Sequence, residues 1–203
     1  MLLNHNFYYY TKGIPENVCD HIIKKFNSIK FNKGTVKGTN EKVRKSKVIF
    51  SDDKELYDII NPFIHNANEK AGWNFQWDFT ESCQFTKYEL NQYYNWHQDG
   101  FPDCYPADHR FVNFRNKCRK LSTVIALSDG SKYKGGDFQI DLRDKGVGNQ
   151  KNLKNVSRII TVEELRKKGT VIVFPSFIWH RVTPVLKGTR YSLVTWSLGQ
   201  PWK

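Results

Sequence analysis

Apolar residues recur at helical spacing twice near the N-terminus of this chain and at strand spacing after that. In residues 15–26, PENVCDHIIKKF, the side chains of Val18, Cys19, Ile22, Ile23 and Phe26 fall on one helical stripe, and Pro15 suits a first turn. The pattern predicts an amphipathic helix laid on a core. A second helical pattern starts at Asp52 and runs through Leu56, Ile59, Ile60, Phe63, Ile64 and Ala67. Pro62 removes a backbone donor in its middle, which predicts a kink or two short helices. After Gly72 the texture changes to short runs of aromatic and β-branched residues: WNFQWDFTESCQFTKYEL, KLSTVIALS, GDFQIDL, GTVIVFPSFIWHRVTPV and TRYSLVTWSL. Their alternation, and the Gly, Asp, Asn and Lys clusters between them, predict strands of an all-β sandwich or barrel. The polar stretches 101–119 and 143–158 read as long loops, and loops of that length in a compact domain are often functional.

Length and composition fit that plan. A chain of 203 residues suits a single domain over 1–203, with a helical N-terminal layer in 1–72 and a β core in 73–203. Hydrophobic residues at 39% and aromatics at 15% are those of an ordinary folded protein. There is no long apolar run of membrane-spanning length and no signal-peptide pattern at the start, so the expectation is a cytoplasmic protein without a membrane partner. Cys19, Cys83, Cys104 and Cys118 are scattered, with no C-x-x-C pair, and in a reducing compartment they are expected to be free thiols.

Charge adds one question. The formal net charge is +12, and between Lys24 and Lys47 nine basic residues face a single acid, Glu41. Nucleic acid or an acidic partner would explain the excess. A solvated lysine-rich face explains it more simply, because lysine outnumbers arginine there and no aromatics interleave between Gly34 and Val48.

The candidate chemistry starts in YYNWHQDG, residues 93–100. In an extended segment His97 and Asp99 project from one side, so one imidazole and one carboxylate can reach the same ion. That pair alone is weak evidence. A partner comes from VIVFPSFIWHRVTP, where His180 stands in a run so apolar that it needs a buried partner or a ligand role. Two histidines and one carboxylate leave coordination positions open, as in non-haem Fe(II) oxygenases, whereas a closed structural zinc site wants a fourth ligand. Ten residues on, TRYSL puts Arg190 and Ser192 on one strand face, and an inward guanidinium calls for an anion.

Taken together these segments resemble the Fe(II)/2-oxoglutarate-dependent dioxygenases, and within them the prolyl 4-hydroxylase-like branch. YELNQYYNWHQD matches the family pattern at Tyr88, Tyr94, His97 and Asp99, with Asn91 where a glycine is usual, and Asn also tolerates positive φ. YKGGDFQI at 133–140 resembles the family's Gly-Gly-acid strand opening, and the block from Gly169 to Trp196 resembles its distal-histidine segment throughout. The resemblance covers residues 83–199. It implies a mainly β (α+β) fold, a double-stranded β-helix or jelly roll with N-terminal helices packed on it. It also implies Fe(II) on His97, Asp99 and His180, and 2-oxoglutarate held by Arg190 with Ser192 and Tyr88. O2 would be the cosubstrate, ascorbate a candidate reductant, and succinate and CO2 the by-products of hydroxylating a C–H bond. The substrate so implied is a prolyl or other residue in a protein or peptide, with loop 101–119 and the basic segment 33–47 as candidate contacts. A free amino acid or other small metabolite is the alternative. Nucleic-acid demethylation ranks below both, because the second arginine typical of that branch is replaced by Trp196. A non-enzymatic nucleic-acid-binding jelly roll would explain the charge but gives no reason for Arg190 and His180 to face inward.

Overall fold

The computed structural model describes residues 3, 5–34, 43–100, 104–142 and 158–202. Its strands are β1 (Tyr8–Tyr10), β2 (Asn32–Lys33), β3 (Arg44–Lys45), β4 (Lys47–Ser51), β5 (Phe79–Thr80), β6 (Cys83–Tyr88), β7 (Tyr93–His97) and β8 (Cys118–Ala126). They continue as β9 (Tyr133–Gly135), β10 (Phe138–Asp141), β11 (Ile159–Thr161), β12 (Val171–Pro175), β13 (Trp179–Val182), β14 (Val185–Gly188) and β15 (Arg190–Gly199). The helices are α1 (Glu16–Asn27) and α2 (Lys54–Lys70). Among the described residues an eight-stranded sheet runs β1-β12-β8-β15-β6-β4-β2, with β5 also on β15, and a five-stranded sheet runs β11-β10-β13-β7-β3. Paired strands throughout are antiparallel.

The large sheet is buried on both faces, which is why its central strands read as near-continuous apolar runs. On β8 and β12 one set of alternating residues, Leu121, Ile125, Val171 and Val173, packs under the helices. The other set, Val124, Ala126, Ile172 and Phe174, faces the small sheet. The expected stripe of α1 is there: Cys19, Ile22 and Phe26 are buried, and Phe26 stacks on Phe85 of β6 at 5.0 Å between ring centres. Pro15 is the residue before the helix rather than part of its first turn. Removing the Phe26 ring would cost about 3–5 kcal/mol.

Three expectations need correction. α2 is one continuous 17-residue helix with Pro62 inside it, not two. Pro62 and Asp58, whose carbonyl loses its donor, are both exposed, so water can take the place of the missing hydrogen bond. The stretch 1–72 is not only a helical layer, because it supplies β1 to one edge of the large sheet, β4 and β2 to the other, and β3 to the edge of the small one. These strands are two to five residues long and too short to show a periodicity. Cys104 and Cys118 are joined in a disulfide, their Cα atoms 4.3 Å apart, while Cys19 and Cys83 are the buried free thiols. The bridge closes the loop that leads from β7 to β8. Most of the expected loop 143–158 lies outside the described residues, as does 35–42 of the basic segment.

Candidate metal and cosubstrate site

β7 and β13 are neighbours in the small sheet, and their register sets His97 directly opposite His180. Each imidazole has its Nδ1 against a backbone carbonyl two residues back, His97 on Asn95 at 2.7 Å and His180 on Ile178 at 2.9 Å. Those bonds hold the proton on Nδ1 and turn Nε2 inward with its lone pair free. His180 is wedged between Phe174 and Phe138, with ring centres 4.8 and 5.6 Å away, and Tyr94 stacks on His97. These aromatic contacts fix both rings.

Asp99 follows the end of β7, its backbone N–H donating to the carbonyl of Ser176. Its carboxylate lies 3.6 Å from Nε2 of His97 and 3.4 Å from Nε2 of His180, and Ser122 Oγ donates to it at 2.7 Å. Burial by itself would raise this carboxyl, but the two imidazoles and Arg119 outweigh it and hold it well below the usual carboxylate range. Burial and the nearby His97 push His180 down to about 4, so at neutral pH it is an uncharged base. A neutral imidazole and an ionised carboxylate are the forms that bind a cation. One ligand atom from each of the three residues lies within 4.8 Å of the others, the only such cluster of three or more among the described residues.

The facing wall comes from the large sheet. Arg190, Ser192, Val194 and Trp196 of β15 line the cavity beside Gln84 and Tyr88 of β6, and share it with the three candidate ligands. Arg190 is 2% exposed, donates from Nη1 to Ser192 Oγ at 3.2 Å, and has no hydrogen-bond partner for Nη2. An open donor on a buried guanidinium fits a carboxylate from a ligand. Gly136, at φ +64°, leaves room for it, since a Cβ there would stand 3.1 Å from Cδ of Arg190. Tyr88 is the register partner of Arg190. Burial raises its phenol even against the nearby Arg44 and Arg190, so it stays protonated and able to donate. The residues present therefore fit both groups: three neutral or anionic ligand atoms for a divalent ion, and open donors for a dicarboxylate.

All six residues singled out in the sequence, His97, Asp99, His180, Arg190, Ser192 and Tyr88, line this cavity or touch a residue that does. Asn91 adopts φ +60°, as its place in the pattern required. Asp137 pairs with Arg166 at 2.7 Å and is structural. His5, His21 and His65 are exposed, and His109 packs on Tyr105 and Phe114 in the loop after β7. Loop 101–119 was named as a candidate contact, but the ion pair beside Asp99 was not legible in it. There Arg119 makes a two-pronged pair with Glu81, both bonds 2.6 Å, and reaches the carbonyl of Asp99 at 3.3 Å. Its guanidinium lies 4.0 Å over Trp196, and Tyr105 of the bridged loop donates to Glu81 at 3.1 Å. Arg44 was not singled out either; it stood only within the basic segment 33–47 named as a candidate substrate contact.

Comparison with known proteins agrees with this geometry. Residues 83–198 match the family model described as 2OG-Fe(II) oxygenase superfamily. A PKHD-type hydroxylase of Alteromonas mediterranea is 30% identical over 113 residues, 55% of this chain and 41% of the relative, so the chain spans about two fifths of that protein's length. A prolyl-4-hydroxylase of Pseudomonas putida superposes with a TM-score of 0.66 at 19% identity, covering 98% of this chain and 94% of that one. A prolyl hydroxylase of Trichoplax adhaerens, solved with a hypoxia-inducible-factor peptide, gives a TM-score of 0.67 at 15% identity, covering 95% and 83%. At these identities the superpositions show the shared double-stranded β-helix fold.

Proposed function

The chain belongs to the 2OG-Fe(II) oxygenase superfamily, and from that premise we propose that it is a hydroxylase acting on a prolyl or other residue of a protein or peptide. The observation that carries the reading is the convergence in one cavity of His97, Asp99 and His180 with the open Nη2 of Arg190. His97, Asp99 and His180 would hold Fe(II), and Arg190, with Ser192 and Tyr88, would hold the far carboxylate of 2-oxoglutarate. Fe(II) with 2-oxoglutarate and O2 supplies the oxidising chemistry, which releases succinate and CO2 and places a hydroxyl on the substrate.

The chain's own work is positional. The two backbone-anchored imidazoles and the Ser122-bonded Asp99 present three ligands from one side and leave the cavity side open. Arg190 Nη2, already desolvated, gives a carboxylate a partner without further loss of its own hydration. Arg119, fixed by Glu81, holds the Asp99 backbone and stacks on Trp196, so both cavity residues are braced from behind. The peptide solved with the Trichoplax neighbour supports a protein or peptide substrate here. Trp196 in the cavity wall, where a nucleic-acid demethylase would typically carry a second arginine, counts against that alternative.

The test is turnover of 2-oxoglutarate to succinate by the Fe(II)-loaded protein with prolyl peptides, with mass spectrometry for the gain of one oxygen atom. Peptide-stimulated succinate with an oxygen added to the peptide is expected. Stimulation by small metabolites and not by any peptide would move the substrate to the alternative class.

A further inference from the structure

Arg44 lies on β3 at the edge of the small sheet, in register with Tyr94 of β7, and is 7% exposed. Nε donates to Ser46 Oγ at 2.8 Å and Nη1 to Gln84 Oε1 at 3.4 Å. Its Nη2 is buried with no hydrogen-bond partner, and among the described residues it forms no ion pair. The guanidinium sits 4.7 Å over the ring of Tyr94, which itself stacks on His97. Both residues it leans on, Tyr94 and Gln84, line the cavity. An unpaired buried guanidinium costs several kcal/mol of desolvation, and a cation–π contact returns only part of that.

Charge says what it is for. If the proposed reading holds, a divalent ion, the Asp99 carboxylate, the 2-oxoglutarate dianion and Arg190 cancel one another. Arg119, beside Asp99, is already neutralised by Glu81. Among the described residues Arg44 is left over, standing just behind the cavity wall against Tyr94 and on a long 3.4 Å bond to Gln84. Resting on that reading, we infer that Arg44 is a specificity residue: the primary substrate carries a carboxylate near the attacked C–H bond, and Arg44 receives it at the Tyr94–Gln84 wall. The carboxylate can come from an acidic side chain next to the target residue of a peptide or from the α-carboxyl group of a free amino acid.

The experiment uses the full chain loaded anaerobically with Fe(II) and 2-oxoglutarate, and reads binding from the change a second ligand makes in the visible charge-transfer band. Two matched sets of probes separate the sources. One is a mixture of capped tripeptides Gly-X-Asp against the same mixture ending in Asn, with X drawn from all residues. The other is a mixture of free amino acids against their amides. Wild type is expected to bind the acidic member of one set roughly tenfold or more tightly than its neutral partner. In Arg44→Met that preference falls to within about twofold, while Arg44→Lys retains part of it, each preference being read against the variant's own band with 2-oxoglutarate. The set that discriminates identifies the source of the carboxylate. The inference is overturned if wild type shows the band but no acidic preference in either set, or if Arg44→Met keeps it. Should Arg44→Met fail to fold, the wild-type preference and Arg44→Lys still decide. Loss of the band itself in wild type would instead bring down the parent reading, and this inference with it.

Discussion

Two kinds of buried arginine stand around one cavity. Beside Asp99, Arg119 spends its donors on Glu81 and on the carbonyl of Asp99. Arg190 in the cavity wall and Arg44 just behind it are more deeply buried, yet each keeps an open Nη2. Burying a cation is costly everywhere, so a guanidinium matched by a carboxylate of its own chain reads as architecture. One left unmatched reads as a place for a ligand. The difference is measurable, because removing the first kind should hurt the fold and removing the second should hurt binding.

The largest expected effect is on the matched pair. Glu81→Ala strands Arg119 and removes the acceptor of Tyr105, and should lower unfolding free energy by about 3–5 kcal/mol in urea denaturation. Arg190→Met should do the opposite: stability changes by less than about 1 kcal/mol, while 2-oxoglutarate affinity by calorimetry falls by about 2–3 kcal/mol, roughly 30- to 150-fold. A large stability loss with unchanged cosubstrate affinity would erase the distinction. Next comes the bridged rim. Cys104→Ser opens a loop whose ends are 14 residues apart and should cost up to about 3 kcal/mol, with wild type falling to the same midpoint when reduced. The smallest effect is Tyr88→Phe, which removes one neutral donor from the cosubstrate end and should weaken 2-oxoglutarate by about 0.5–1.5 kcal/mol without moving the metal ligands.

The same contrast marks what was legible in the sequence. Arg190 and Ser192 stand two apart on β15, so alternation put them on one face, and His97 at the end of β7 with Asp99 two residues on gave the same spacing just past the strand. His180 announced itself as a polar residue in an apolar run. Those are local signals, and the family pattern added their long-range pairing. The Glu81–Arg119 pair, the Cys104–Cys118 bridge and the contact of Arg44 with Gln84 join residues on different strands or loops, 14 to 40 positions apart. No periodicity carries such partnerships, and they emerge only once the sheet register is set. Arg44 was hidden further by its neighbours, since among the described residues of that lysine-rich run it is the one buried cation. The strands β1 to β4 escaped for a related reason, being short pieces at or next to the sheet edges whose partners decide their conformation.

The central claim is that His97, Asp99 and His180 hold Fe(II) beside an open position where 2-oxoglutarate chelates. The direct measurement is anaerobic visible absorption of the purified protein titrated with Fe(II) and then with 2-oxoglutarate, alongside His180→Ala. A weak charge-transfer band that appears on adding 2-oxoglutarate to wild type, and is absent from a folded His180→Ala, is the predicted result. No band in folded wild type, or an equal band in both proteins, would contradict it.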